Sequence, residues 1–405
     1  MQQPARHPAI RARGAQLPLI TLCLLACAGT ALGLVDEAVD MGGDVVVEAT
    51  FNRPGLADHQ STRLEDRIIQ MIGQAAPGSS IHVSIYSFTR TAIADALLDA
   101  RRHDVTIHVV VDGRTLRKSG GAVELLRKGD AERGPLTGCK GACVKVCRRG
   151  CHGLHINHNK FVLFSEMRDG SRWVVAQTSA NFTAGQHRHY NDLLVVKNDR
   201  ALFNAFRGYF DDLTRRRLAL RYYRRSRGSS GIGVHFFPRL LGSDPFVKIL
   251  RGVRCDAEST IRVAHSRFES QRLAVARQLR RLADRGCDVQ IILREEPKKR
   301  SPGRAVLKEL EGLVTLLPYR AEGDDHNAIH TKLMLINAPR AGAEGRQHLV
   351  LRGSHKLSIT SLYFNDDVLL RVDNEDLFSA YEAFFDEILM SHDTAGRSES
   401  RSAGH

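Results

Sequence analysis

The sequence predicts an α/β fold made of two halves on one plan, with helices covering the sheets. Three observations predict it. The stretch "SSIHVSIYSFTRTAIADALLDARRHDVTIHVVVDG" (79–113) reads strand, amphipathic helix, strand, and "STIRVAHSRFESQRLAVARQLRRLADRGCDVQIILRE" (259–295) repeats that order at nearly that length. "HNKFVLF" (158–164) and "HTKLMLI" (330–336) each set a His, one spacer and a Lys before an apolar strand. Each is followed by a strand carrying a small-Ser pair, "VVAQTSAN" and "LVLRGSHK", and by a third strand opening on Asn-Asp, "NDLLVV" and "NDDVLL". His158 answers to His330, and Ser179 to Ser354, at nearly the same offset along the chain.

Taken in order, the chain begins with Arg6, Arg11 and Arg13, then an apolar run from Leu17 to Leu32 that ends in the small-residue pattern "ALG". A basic start, a short apolar core and a small-residue site describe a secretory signal peptide over residues 1–33. "LLAC", ending at Cys27, supports the alternative of a surface lipoprotein lipidated at that Cys. The first repeat is expected over 34–227 and the second over 228–390. Their seam falls in "LTRRRLALRYYRRSRGSSGIG" (213–233), an Arg-rich helix end running into a Gly/Ser-rich link. Residues 391–405, "SHDTAGRSESRSAGH", are expected as a disordered tail.

The 405 residues suffice for two core-bearing units, and 42% apolar with 26% charged residues suits a folded soluble protein. Net charge is +14; removing the three Arg of the signal segment leaves +11, which favours anionic partners such as phospholipid headgroups or nucleic acid. Aromatic residues make up 6%, with a single Trp173, so neither base stacking nor interfacial anchoring is strongly signalled. Six Cys follow the signal segment: Cys139, Cys143, Cys147 and Cys151 in one cluster, and Cys255 and Cys287 flanking a strand–helix unit. Export favours disulfides over a zinc site, and the even four-residue steps differ from paired C-x₂-C ligand spacing. Pairing within the cluster of four stays open among three arrangements.

Side chains two apart on a strand share a face. His158 therefore points with Lys160, and His330 with Lys332; Ser179 points with Asn181, and Ser354 with Lys356. Halves packed face to face bring two imidazoles and two or three ammonium groups into one pocket. That set suits a phosphodiester: one neutral His attacks phosphorus, one protonated His supplies the leaving-group proton, and Lys holds the non-bridging oxygens. Asp192 follows Asn181, and Asp367 follows Lys356, by one and the same step. Both are expected to orient the imidazoles, with Asp366 close behind. No acidic cluster or His/Cys ligand set calls for a metal, and no cofactor is expected. His152, His155, His187 and His189 lie in loops near the site and read mainly as exposed.

"HNKFVLFSE…QTSANFT…ND" and "HTKLMLINA…RGSHKLS…NDD" resemble the two halves of the phospholipase D superfamily, whose signature is H-x-K-x₄-D with a downstream G-S-x-N. The Cys-bearing loop before "HNKF" looks like secreted bacterial members. The resemblance covers roughly residues 45–390. It implies a bilobal fold of two pseudo-symmetric α/β sandwich repeats with the active site between them, and metal-free phosphodiester chemistry. Carried over by position, it implies His158 as nucleophile and His330 as general acid, Lys160 and Lys332 on phosphate, and Ser179, Asn181 and Ser354 completing the site. The motif's Asp is Ser165 in one copy and Asn337 in the other; its G-S-x-N Gly is Thr178 in the first copy, and its Asn is Lys356 in the second. The expected protein is an exported, monomeric phosphodiesterase acting on phospholipids at a membrane surface. The alternatives are an exported nuclease using the same two His and a catalytically impaired phosphate-binding protein.

Overall fold

The computed structural model describes residues 32–54, 58–114, 116, 121–129, 143–148, 150–296, 299–318 and 328–402. The expected signal segment up to residue 31, and Cys139, lie outside them. An antiparallel pair, β1 (Glu37–Asp40) and β2 (Val46–Asn52), and helix α1 (Asp58–Gly73) precede the first repeat. The repeat runs β3 (Ser80–Ile85), α2 (Thr91–Arg102), β4 (Thr106–Asp112), α3 (Ala122–Lys128), β5 (Cys143–Cys147), β6 (Lys160–Glu166), β7 (Arg172–Thr178), β8 (His189–Lys197) and α4 (Arg200–Arg215). In the second half β9 (Arg224–Arg227), β10 (Gly233–Phe236) and α5 (Pro245–Arg251) come first. Then follow β11 (Thr260–His265), α6 (Leu273–Ala283), β12 (Asp288–Glu295), α7 (Arg304–Glu309), β13 (Val314–Pro318) and β14 (Ala328–Ile329). The chain closes with β15 (Lys332–Pro339), β16 (Arg346–Gly353), α8 (Ile359–Tyr363), β17 (Val368–Asp373) and α9 (Glu375–Ser402).

The two sheets have matching centres. The first is ordered β1-β2-β8-β7-β6-β3-β4-β5 and the second β13-β12-β11-β15-β16-β17-β10-β9. In each, a β-α-β crossover makes a parallel pair (β3/β4, β11/β12), and the strand after the His-x-Lys motif pairs antiparallel to its first member. The motif strands are apolar on both faces because both faces are covered. Phe161 and Leu163 of β6 point into a core shared with α4, α9 and the second sheet, while Val162 and Phe164 pack under α1, α2 and α3. The second sheet buries its other face under α5, α6, α7 and α8. The molecule is thus layered helix, sheet, helix pair, sheet, helix, and its two halves share the middle core.

Local chemistry fixes the ends of the elements. Asp199 caps α4 by accepting from the Leu202 amide at 2.9 Å, and that helix turns Leu202, Phe206, Tyr209, Phe210 and Leu213 inward at helical spacing. Disulfide Cys255–Cys287 brackets β11 and α6, and Cys147–Cys151 closes the turn after β5. Two boundaries differ from the sequence reading. β9 already belongs to the second sheet, so the seam precedes Arg224 rather than following Arg227; an exposed edge strand needs no apolar alternation and tolerates the charge of "RRSR". The stretch expected as a disordered tail is drawn as a continuation of α9 to Ser402. Among the described residues no helix is long and apolar enough to cross a membrane.

Candidate active site

Each half holds the other half's motif in place. β14 leaves its own half and pairs parallel to β8, with Ile329 opposite Tyr190. The amides of His330 and Thr331 then both donate to the Tyr190 carbonyl at 3.0 Å. Reciprocally, Asn157 bridges Asp366 of the second half; the His158 amide donates to the Asp366 carbonyl at 2.9 Å, and the Asp366 amide donates to Ile156 at 3.0 Å. Both imidazoles are in this way fixed at the junction, where β6 and β15 begin.

The side chains cross over as well. His158 Nδ1 meets Asp367 Oδ1 at 2.9 Å, and His330 Nδ1 meets Asn191 Oδ1 at 3.0 Å. Two serines brace these acceptors in the same manner. Ser354 Oγ donates to Asp367 Oδ1 at 2.6 Å and accepts from the Val368 amide at 3.0 Å. Ser179 Oγ donates to Asn191 Oδ1 at 3.0 Å and accepts from the Asp192 amide at 2.9 Å. The Asn191 amide nitrogen faces the carbonyls of Gln186 and His189, which leaves Oδ1 to accept from His330 Nδ1; Lys332 Nζ also lies 3.1 Å from that Nδ1. Lys160 Nζ donates to the His158 carbonyl at 2.7 Å, and Lys332 Nζ to the carbonyls of His330 and, at 3.3 Å, Ser179.

All four motif side chains are buried; His330, at 8% exposure, is the most open. Burial is the main reason that both imidazoles titrate well below the ordinary His range. For His158 the charges of Lys160, Lys356 and Lys332 add to it; for His330 it is Lys332, His189, Arg294 and Lys356. Burial also lowers Lys160 and Lys332 well below the ordinary Lys value, and Lys356 is lowered to about 8 by burial and then Arg294. Among the described residues, Asp367 opposes this charge at His158 and Asp192, itself paired with Arg352, opposes it at Lys332, while Glu296 is paired with Arg294 and Lys299. A buried group of cations in excess of its acids favours an anion in their midst.

The structure brings His158, Lys160, His330, Lys332, Ser179, Ser354, Lys356 and Asp367 to this junction. Asp192 plays another part than the one expected. Its carboxylate accepts from Arg352 Nε at 2.6 Å, Thr331 Oγ at 2.9 Å and Tyr381 at 3.1 Å, a buried ion pair that ties the sheets together. Carrying the step between the two serines onward sets Asp192 against Asp367. The spacings within each half differ, however: the second half has one residue more between Ser354 and Asp367 than the first has between Ser179 and Asn191. That one extra residue moves the acceptor to Asn191. Asn181 is also displaced: it lines a small cleft with Glu65 and His187, and its buried Oδ1 has no partner. Asp366 accepts the amides of Cys151, His152 and Gly153, bracing the disulfide turn, and burial raises its carboxyl to about 7. Ser165 and Asn337 sit at the far ends of β6 and β15, where Ser165 accepts from the Ser80 amide at 2.9 Å and Asn337 from Arg346 at 3.3 Å.

Several neighbours escape a motif search. His189 stacks on His330 with ring centres 5.7 Å apart. His265, beside Lys332 on β11, and His355 have both ring nitrogens buried without partners. His355 stands between two residues of the Ser-His-Lys triplet and is readable by position alone. Of the loop histidines, His152 stacks on Tyr222, His155 meets Asn365 at 2.9 Å, and His187 meets Glu65 at 2.7 Å.

The family model described as cardiolipin synthase, PLD-like domain matches residues 68–214 and again 255–389. Phosphatidylserine synthase of Haemophilus influenzae Rd KW20 superposes with a TM-score of 0.54 at 12% identity, covering 84% of this chain and 85% of that one. Nuc, a phospholipase D family member from Salmonella typhimurium, aligns at TM-score 0.33 and 17% identity over 46% of this chain and 98% of its own. Yeast tyrosyl-DNA phosphodiesterase 1 aligns at 0.43 and 11% over 80% and 89%. No curated protein matches the chain. The two matches cover one half each, and phosphodiester chemistry is the common trade of the superfamily they define. The chain belongs to the cardiolipin synthase PLD-like domain family, within the phospholipase D superfamily, and carries that domain twice.

Proposed function

We propose that the protein is an exported phospholipase D-type phosphodiesterase that hydrolyses phospholipid headgroup esters through a phosphohistidine on His158. The observation that carries this reading is the unlike pairing of the two imidazoles under one group of cations. His158 is backed by the Asp367 carboxylate, which keeps its proton on Nδ1, sharpens Nε2 as a nucleophile and steadies the positive ring once phosphorus is attached. His330 is backed by a neutral amide, which fixes the tautomer and leaves an imidazolium free to part with its Nε2 proton.

The sequence of bonds follows. A bound phosphodiester lies among Lys160, Lys332 and Lys356, and its negative charge raises His330 toward the protonated form. His158 Nε2 attacks phosphorus, the P–O bond to the headgroup alcohol breaks, and the departing oxygen takes the proton of His330. Water then gives a proton to His330 and attacks phosphorus, the P–N bond breaks, and phosphatidate leaves. The lysines supply the charge that the transition state requires. Two disulfides support an oxidising compartment and hence export. The family description, which is of a phospholipid enzyme, supports lipid over nucleic acid.

The mature protein, assayed with EDTA on phosphatidylcholine, phosphatidylethanolamine and plasmid DNA, is expected to release choline or ethanolamine. His158→Ala and His330→Ala are each expected to abolish release. DNA nicking without headgroup release overturns the lipid reading, and a need for divalent metal overturns the metal-free one.

A further inference from the structure

A second group of cations lies elsewhere in the second half. A cleft of ≈ 530 Å³ opens between Tyr223, β10, α5 and the end of β15. Arg225, Arg239, Lys248, Arg340 and Arg371 line it, and no Asp or Glu is among its lining residues. Asp373 stands close enough to favour the charge of Arg340 and Arg371, while Asp244 is taken up by Arg272 and by the cap of α5. Among the described residues, five cations therefore face Asp373 and the already ion-paired Asp244.

The guanidinium groups are held in place yet incompletely used. Arg340 donates to Gln347 Oε1 at 3.0 Å and to the Ile249 carbonyl at 3.1 Å; Arg371 donates to the same Gln347 oxygen at 3.3 Å. The guanidinium carbon of Arg239 sits over the Tyr223 ring, 3.9 Å from its centre. The Nε of each of these three arginines is buried without a hydrogen-bond partner. Guanidinium and ammonium groups crowded round one cavity, with no carboxylate among its described lining residues, favour an acceptor-rich ligand. His235 is neutral there, lowered to about 4 by burial and then by Arg225, and its Nδ1 meets the Tyr223 hydroxyl at 2.6 Å. Burial and the charge of Arg371 also lower Arg340, the mark of like charges crowded without a counterion.

We infer that this cleft is a binding site for a small anion carrying two or more phosphate groups. A single phosphate dianion leaves most of the five cations unanswered, and the cavity falls in the size range of small-molecule sites. The site is separate from the paired imidazoles. Arg340, the residue just after β15, is eight residues from Lys332 at the strand's other end, roughly 26 Å away. At its nearer end the ring of Phe237 stands between Tyr223 and His355, with centres 5.5 Å and 4.2 Å from theirs.

Isothermal titration of the full chain with tripolyphosphate and with inositol trisphosphate, against sulfate at matched ionic strength, tests it. Saturable 1:1 binding of at least one phosphate probe, at least tenfold tighter than sulfate, is expected. The tighter of the two tells whether the phosphates come as a free chain or on a carbohydrate headgroup. Arg340→Gln with Arg371→Gln is expected to weaken binding at least tenfold; the exposed pair Arg225→Gln and Lys248→Gln, which disturbs no buried group, is expected to weaken it severalfold with the melting temperature unchanged. Sulfate binding as tightly, or full affinity in the exposed pair, overturns the site. Phosphodiesterase activity is expected to survive in both variants, so failure here is distinct from failure of the catalytic scheme.

Discussion

Replacing Asp367 by Asn removes one charge and almost no volume, and the surroundings set the cost. Oδ1 of Asp367 accepts from His158 and from Ser354, and Oδ2 accepts from Asn365 Nδ2 at 3.3 Å. An Asn here must aim its NH₂ either at Asn365, donor against donor, or at His158, which forces the imidazole into the other tautomer and takes its nucleophilic Nε2 out of use. The lost charge-assisted hydrogen bond alone is worth about 1.5–3 kcal/mol, or roughly 10- to 150-fold in rate at about 1.36 kcal/mol per decade. A forced tautomer in a comparable carboxylate–imidazole pair costs about 10⁴-fold. The expected fall in turnover is therefore about 10² to 10⁴. The carboxylate also supports the charge on Lys160 and Lys356, so substrate affinity falls with it. Alkali-quench rapid mixing with a labelled phosphodiester measures the base-stable, acid-labile phosphohistidine directly. Label appearing in Asp367→Asn within threefold of the wild-type rate, or mapping to His330, refutes the assignment of His158 as nucleophile.

Two further outcomes follow from the same geometry. Lys356, lowered to about 8, loses its proton as pH rises through that value, so KM is expected to climb above pH 8 while kcat changes less; Lys356→Arg is expected to flatten that limb, and a wild-type KM constant to pH 9.5 contradicts it. Arg352→Met strands the Asp192 carboxylate in a closed interior and is expected to cost about 3–5 kcal/mol by urea denaturation, with Asp192→Leu added on top restoring part of it; a loss below about 1 kcal/mol removes the structural role assigned to this pair.

Much of this was readable from the chain because the repeat reports itself through periodicity. The β-α-β units, the doubled motif strands and the Ser-bearing strands each carry a period-2 or period-3.6 pattern, and two copies in register reinforce one another. Contacts between the halves carry no such pattern. β14 is only Ala328 and Ile329, and it pairs with β8 of the other repeat, Ala328 opposite His189, so nothing local announces it. Asn191 carries no signal of its own in the sequence, because the repeat sets Asp192 against Asp367, whereas strand pairing sets there whatever residue faces the imidazole. His265 and His355 belong to no shared signature; the first repeat has Ile85 opposite Lys160 where the second has His265 opposite Lys332. The edge strand β9 escaped because its charges suit solvent and its hydrogen bonds suit a sheet.

The exchange of supports across the junction bears on how one chain came to hold two dissimilar histidines. In a symmetric pair of identical single units, one acceptor position serves both imidazoles, and whatever residue suits the attacking ring is imposed on the proton donor too. Joining the units in one polypeptide releases that constraint: Asn191 and Asp367 can diverge, and each ring receives the partner its own step needs. It also makes the halves inseparable. A fragment ending before β9 keeps His158 but loses Asp367, and the complementary fragment keeps His330 but loses Asn191, so neither inherits a working half of the site.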